Sequence, residues 1–545
     1  MSAAFDAFVK RYLETSITDS PTFGTYLGFH ELDGELGEFS SDAIEEQHGR
    51  MRALLSDLEA LPLDDEPIEV RVDAAALASS LRTDIYRHEA LRSHERMPGR
   101  YVGTALGGCN SLIMKEFAPL SERAVSLLSR VRQIPGVLEH MRRNVRDVPQ
   151  TFATVSAEYA AGGVVFMRSI VADVVPEVPE IGEELASACA EACEAFERAA
   201  GELRAMAENA EDSFAVGRDA YEWILRTTHL LDLDSDELAD YGREAMARTR
   251  EQMRKVADEI DPDVSVEDHL ETLKDAHPTS DALRQTYADE MARARDFVRE
   301  HDLVSIPDDE ELHVIDTPVY ARRVLPYAAY YPPGSFEKRQ QGHFYVTPVD
   351  ESATAEQQER QLRGHSLHTI PIVALHEGYP GHHLQFVRAN AIPRMARKLT
   401  WNTVYVEGWA LYCEEMMKEA GFCPDPMTRL GQLKETLWRS ARIVVDTSIQ
   451  RGTMTLDEGI EFMVDEVKLE HVNATAEVKR YATAPTQPSS YMIGKRAIVG
   501  IRRRFEEEPG SGFDLKSFHD RLLDLGSIQP ALAEASLGLR DLERI

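Results

Sequence analysis

Through the first 275 residues, apolar side chains recur every three or four positions, with charged residues between them. That period belongs to helices with one buried face and leaves little room for strands. It predicts helices over Ala43–Leu61, Val70–His94, Pro119–Val145, Ile181–Ala210 and Asp236–Ile260. Pro and Gly separate them at Leu61-Pro62, Pro98-Gly99, Pro176–Pro179 and Asp261-Pro262. The pattern changes over residues 276–350, where His313-Val314-Ile315-Asp316 and His343-Phe344-Tyr345-Val346 read as short strands. Tyr330-Tyr331-Pro332-Pro333-Gly334 reads as a loop between them, and residues 351–545 return to helix. A chain of 545 residues is too long for one small core. The expectation is mainly α and two-lobed, with an N-terminal helical lobe over 1–275 and a second lobe, carrying a small sheet, over 276–545.

Charge narrows the partners. Asp and Glu number 94 against 60 Lys and Arg, a formal charge of −34. Such a chain repels nucleic acid and anionic membrane, so neither is expected as a partner. No stretch approaches the roughly 18–20 uninterrupted apolar residues of a spanning helix, and the start MSAAFDAFVKRYLE lacks the basic and apolar regions of a signal peptide. The five cysteines, Cys109, Cys189, Cys193, Cys413 and Cys423, are odd in number and dispersed, which suggests reduced thiols and a cytoplasmic location. Cys189 and Cys193, four apart, read as small residues on a packed helix face.

The chemistry concentrates in His376-Glu377-Gly378-Tyr379-Pro380-Gly381-His382-His383. In the zinc-peptidase motif H-E-x-x-H, two His one turn apart hold Zn²⁺ and the Glu activates the zinc-bound water. Here Pro380-Gly381 stretches the motif. In an unbroken helix His376 and His382 would point roughly 240° apart. His383 would return to the face of His376, but about 10.5 Å along the axis, a long span for one ion. A bulge at Pro380-Gly381 brings His382 into register. His376 and His382 are therefore the expected ligands, with His383 as the competitor for the second place and a candidate substrate contact.

An open zinc site needs a third protein ligand. Glu407 follows His382 by about 25 residues, room for one turn and the entry of a second helix. It sits among Val404, Tyr405, Val406, Trp409 and Leu411, where a carboxylate must be paired or bound to metal. Glu414 could share its face, as a surface or supporting group.

HEGYPGHHLQ followed by VEGWALYCEE resembles the family catalogued as domain of unknown function 885. The similarity extends to the opening FVKRYLETSITDSPTFGTYLGFHELDGELGEFS, to YYPPGSFEKRQQGHFYVTP, to RSARIVVDTSIQRGTMTLDEGIEFM and to QPSSYMIGKRAI. The resemblance implies a gluzincin-type zinc peptidase with one Zn²⁺ per chain, held by two His and a distant Glu, with Glu377 as base. It also implies an elongated, two-lobed helical metallopeptidase-like fold with a deep cleft, of the thimet oligopeptidase, neurolysin and Taq-type carboxypeptidase kind. The small sheet would lie beside the zinc helix, where an edge strand can hold an extended peptide.

Tyr491 alone reads as an aromatic anchor at a helix start; with the resemblance it is the candidate donor to the oxyanion. Arg339 and Arg480 could grip a substrate carboxylate, or serve structure. Asp446, inside an apolar run, could orient a ligand His or pair with Arg439 or Arg442. His365 and His368 read as cleft lining. The expected function is hydrolysis of short peptides, by a carboxypeptidase or small oligopeptidase. The alternatives are a non-catalytic helical protein with a structural metal or none, and a zinc amidohydrolase acting on a non-peptide metabolite.

Overall fold

Apolar period alone carries most of the helix assignments into three dimensions. A computed structural model describes residues 3–317, 322, 325, 327–507 and 513–545. The predicted segments appear as helices Ser41–Glu59, Ile68–Glu89, Leu120–Asn144, Gly182–Asn209 and Ser235–Ile260. The second ends five residues early: the backbone turns at Arg92 with φ of 49°, and a short helix Ser93–Arg96 follows. No Gly or Pro at that point signals the turn.

The chain divides into two compact units. The first holds Met1–Ala215 with Pro318–Val324 and Gly334–Lys338; the second holds Val216–Thr317, Leu325–Pro333 and Arg339–Ile545. The division falls near residue 215, so Ser235–Ile260 belongs to the second unit. Its Gly242 lets it lie close on Ile443 and Val444 of helix Pro426–Gln450. Periodicity reports that a helix has a buried face, not what covers it.

In the first unit, Val102, Leu112, Val131, Ile134, Ala160, Met167, Leu185 and Phe196 are fully buried in one core. The run Gln150–Glu177 is long and apolar enough to cross a membrane by length and composition, and its Ala160, Met167 and Ile170 are part of that core. Cys189 also packs there, with Cys193 half-buried beside it, and all five cysteines are free thiols.

The second unit contains a three-stranded mixed sheet in the order β1-β3-β2, where β1 is Glu311–Asp316, β2 is Ala328–Tyr331 and β3 is Gln341–Val346. β1 pairs parallel with β3 and β2 antiparallel. Tyr330 and Tyr331, expected in a loop, instead form the end of β2, opposite Phe344 and His343. Phe344 and Val346 of the central strand share a core with Met291 and with Ile370 and Ala374. The last two belong to the helix that carries His376, so the sheet supports that helix directly.

Candidate metal centre

Helix Ile370–Glu377 takes Pro371 in its first turn, where a missing N–H costs nothing, and ends on His376 and Glu377. The insertion does more than bulge. It stops this helix at Gly378, and a new helix, His382–Ala391, begins four residues later. The Tyr379–Pro380 peptide is cis. The Gly381 N–H donates to the Leu375 carbonyl at 3.0 Å. A Cβ on Gly381 would lie 1.8 Å from the His376 carbonyl oxygen, so only glycine fits this reversal. The turn brings the His376 and His382 rings to 4.9 Å between centroids, nearly perpendicular at 86°.

Glu407 arrives on helix Thr403–Glu419, whose first turn is capped by the Asn402 side chain. Two contacts fix this helix over the turn. The buried Trp409 indole N–H donates to the Pro380 carbonyl at 2.9 Å, and the Cys413 thiol reaches the same oxygen at 3.7 Å. A carbonyl freed by the broken helix is thus satisfied by the helix that delivers Glu407. His382 Nε2 and Glu407 Oε2 are 3.5 Å apart, and one donor atom each of His376, His382 and Glu407 lies within 4.8 Å of the others. Donors on a tetrahedral zinc with bonds of 2.0–2.1 Å stand about 3.3–3.4 Å apart. The His382–Glu407 separation is close to that edge, and two imidazoles with a carboxylate are a donor set that zinc takes.

Tyr491 reaches the cluster through a backbone contact. Gly408, next to Glu407, touches Gly494 of helix Ser490–Glu507; a Cβ on Gly494 would lie 1.9 Å from the Val404 carbonyl oxygen. Tyr491, one turn before Gly494, is brought against Glu407. Burial is the largest influence on the Glu407 carboxyl and raises its pKa. The hydrogen bond and charge of His382, with smaller contributions from His376 and the Tyr491 hydroxyl, outweigh burial and hold Glu407 below the usual carboxylate range. Burial, followed by the charge of Glu407, raises the Tyr491 phenol, which stays neutral at pH 7. The Arg442 guanidinium lies 4.9 Å from the Tyr491 ring centroid and Arg439 lies 5.9 Å from it.

Around the cluster, His376 Nδ1 is 2.7 Å from Glu414 Oε1. A carboxylate can only accept there, so Nδ1 carries the proton and Nε2 keeps its lone pair for a metal. Glu414 is buried, with Arg439 4.0 Å away. Glu377 follows His376 at the helix end, half-buried, and its charge helps raise the pKa of His382 against the larger opposing effect of burial.

His383 faces elsewhere. Its Nε2 donates to Glu310 Oε2 at 2.7 Å and its Nδ1 accepts from the Tyr330 hydroxyl at 3.1 Å. Both nitrogens are used, and burial keeps the ring neutral by lowering its pKa. The Tyr379 hydroxyl donates to the same Glu310 oxygen. This network of Glu310, Tyr330, Tyr379 and His383 ties the sheet to the motif turn. Glu310 lies within an acidic run, Asp308-Asp309-Glu310-Glu311, that reads as solvated surface and carries no signal of this role.

The remaining candidates are engaged in structure. Arg480 donates to both Glu477 oxygens at 3.2 and 2.9 Å and to Gln487 at 2.7 Å. Arg339 is exposed and pairs with Glu311 at 3.0 Å. Asp446 meets neither a ligand His nor an Arg: it accepts from Tyr221 at 2.8 Å, Ser489 at 2.6 Å and the Thr486 N–H at 3.3 Å. Burial, the dominant effect, pushes its pKa up to about 7. His365 bonds the Tyr287 hydroxyl at 3.0 Å, and His368 pairs with Asp425 at 2.9 Å.

Residues 21–537 match a family model described as "Bacterial protein of unknown function (DUF885)". No curated protein matches the chain. Solved structures share the fold, among them two described as lipoproteins. A "putative lipoprotein of unknown function" from Shewanella oneidensis is 23% identical, with a TM-score of 0.80 over 99% of this chain and 100% of that one. A "putative lipoprotein" from Colwellia psychrerythraea is 16% identical, with a TM-score of 0.83 over 98% and 99%.

Proposed function

The chain belongs to the DUF885 family, and from that premise and the geometry around His376 we propose that it is a zinc-dependent peptidase acting on short peptides. The observation that carries the reading is the convergence of His376, His382 and Glu407 within 4.8 Å, with Glu377 adjacent to the first ligand. These three residues would hold one zinc per chain. When bound, zinc supplies Lewis acidity, lowering the pKa of a water and polarising the scissile carbonyl.

The other steps fall to the chain. Glu377 takes a proton from the attacking water and returns it to the leaving amine. Tyr491, neutral and next to Glu407, donates to the oxyanion. Glu414 holds the His376 ring in the tautomer a metal needs. Within this class, a carboxypeptidase or small oligopeptidase is proposed.

A closed structural zinc site would need a fourth protein ligand, from His383 or Glu414. His383 uses both nitrogens on Glu310 and Tyr330, and Glu414 bonds His376. That disposition favours an open, catalytic site over a structural one. A cytoplasmic location is proposed on the five free thiols. The relatives' description as lipoproteins makes the cell envelope the alternative, and cell fractionation separates the two.

The test is Glu377→Gln with zinc content and peptide-library digestion measured together. The variant is expected to keep zinc and lose hydrolysis by about 10²–10⁴-fold or more. Wild-type turnover in Glu377→Gln, or a wild type that cleaves no peptide while holding zinc, would overturn the reading.

A further inference from the structure

Three imidazoles form one stack in the first unit. His48, on helix Ser41–Glu59, lies over His88, on helix Ile68–Glu89, with ring centroids 4.0 Å apart and planes 8° apart. His88 lies over His94, on the short helix Ser93–Arg96, at 4.1 Å and 7°. Carboxylates flank the stack: Glu45 Oε1 is 3.2 Å from His88 Nε2, and Glu89 Oε1 is 3.0 Å from His48 Nε2. Nδ1 of His48 and Nδ1 of His94 are buried and lack a hydrogen-bond partner among the described residues. Buried polar atoms are rarely left so. Hydrophobic packing gives no reason to gather three imidazoles and two acids at the junction of two helices and a turn. A cation shared between them does.

We propose that Glu45, His88 and His94 form a second metal site, for a divalent transition-metal ion such as Zn²⁺, separate from the cluster around His376. One donor atom from each lies within 4.8 Å of the others. The 3.2 Å between the Glu45 and His88 donors is close to the edge of about 3.3–3.4 Å in a tetrahedral zinc shell. Imidazole is a donor that zinc, nickel and copper select, and a Glu oxygen completes zinc sites at similar bond lengths.

The third donor requires one movement. The His88 and His94 rings are almost parallel, so their lone pairs do not converge until His94 turns out of the stack. Little resists the turn: Glu95 is 3.8 Å from His94 Nε2, beyond hydrogen-bond reach, and Nδ1 has no partner among the described residues. An ion held by these residues would pin helix Ser41–Glu59 to the end of helix Ile68–Glu89 and to the turn beyond Arg92. Its role is a clamp on the first unit rather than catalysis.

The test does not depend on the proposed peptidase activity. The His376→Ala/His382→Ala protein is dialysed against Zn²⁺ and then against buffer, and its metal is measured by plasma mass spectrometry. It is expected to keep one zinc per chain, and adding His88→Ala and His94→Ala is expected to remove it. In thermal melts Zn²⁺ should raise the Tm of the first protein and not of the second. Absence of retained zinc in the first protein, or retention undiminished in the second, overturns the proposal. Should His376→Ala/His382→Ala not fold, wild type is compared with His88→Ala. Loss of one zinc equivalent supports the site and an unchanged content overturns it. Glu45→Gln, an exposed position, should weaken zinc binding at least tenfold, and an unchanged dissociation constant excludes Glu45 as a ligand.

Discussion

Gly408→Ala should drive apart the two helices that bring Glu407 to Tyr491. A methyl group at this position would lie 2.4 Å from the Cα and carbonyl carbon of Gly494. Carbon atoms rest at about 3.5–4.0 Å, so the overlap is roughly 1–1.5 Å. Both opposing atoms are backbone, and no rotamer change relieves the contact. Helices Thr403–Glu419 and Ser490–Glu507 must therefore separate or slide. Overpacking of this kind costs about 1–3 kcal/mol, against a gain of about 1 kcal/mol for Ala over Gly in a helix. Gly500→Ala is the control. It lies on the same helix as Gly494, and a methyl group there would meet nothing within 4 Å, so it should gain the propensity term alone. The difference between the two variants isolates the clash at about 1–3 kcal/mol. Urea unfolding measures it. Under the proposed function a further effect follows, because a displacement of about 1 Å can cost 10²-fold in turnover. Equal unfolding midpoints for Gly408→Ala and Gly500→Ala would refute the claim that the glycine contact sets the helix spacing.

Three other outcomes are expected. Tyr491→Phe should lower kcat with little change in KM, by about 2.7–4 kcal/mol in the barrier, because the bond forms mainly in the transition state; unchanged kinetics would return Tyr491 to the role of an aromatic anchor. His383→Ala should keep the metal that His382→Ala loses, yet lower stability by about 1–3 kcal/mol, since it leaves Glu310 and Tyr330 short of a partner; zinc lost from His383→Ala but kept by His382→Ala reverses the ligand assignment. Asp446 gives a pH dependence. With its folded pKa pushed up by burial to about 7 and an unfolded value of about 3.9, the folded chain holds a proton that the unfolded chain has released between those values. The contribution of Asp446 to stability then falls as pH rises from about 4 to 7, by up to about 1.4 kcal/mol per unit, and Asp446→Asn should remove that contribution from the pH dependence in thermal melts at a series of pH values; parallel slopes for the two proteins would remove Asp446 as a cause.

Local sequence carries the helices and the residues that meet in the cluster of His376, His382 and Glu407. Helix limits fall within a few residues of their expected places because a buried face imposes a period that neighbouring residues record. The motif residues can be named because Pro380-Gly381 cannot continue a helix, and Glu407 because an acid among apolar residues needs a partner. Even the preference for His382 over His383 follows from the long axial span to His383 and the break at Pro380-Gly381. The strand end at Tyr330-Tyr331 escapes such reasoning because strand pairing is decided by the partner, here β3, and the Pro-Pro-Gly beyond it reads as loop.

Tertiary structure decides the rest, wherever a side chain's partner lies far along the chain. Glu310 caps His383 from 73 residues away, and Asp446 answers to Tyr221, 225 residues away, rather than to the arginines near it. Helix Ser235–Ile260 belongs to the second unit, where Gly242 lets it lie close on Ile443, a residue about 200 positions away. For Arg480 and Arg339 the sequence leaves a substrate grip and a structural role both open, because it cannot show Glu477 and Glu311 beside them. The stack of His48, His88 and His94 depends on how two helices and a turn meet. Sequence dictates the local geometry that each residue must obey; which buried charge meets which is settled only when distant segments close on one another, because burial makes an unpaired group too costly to leave.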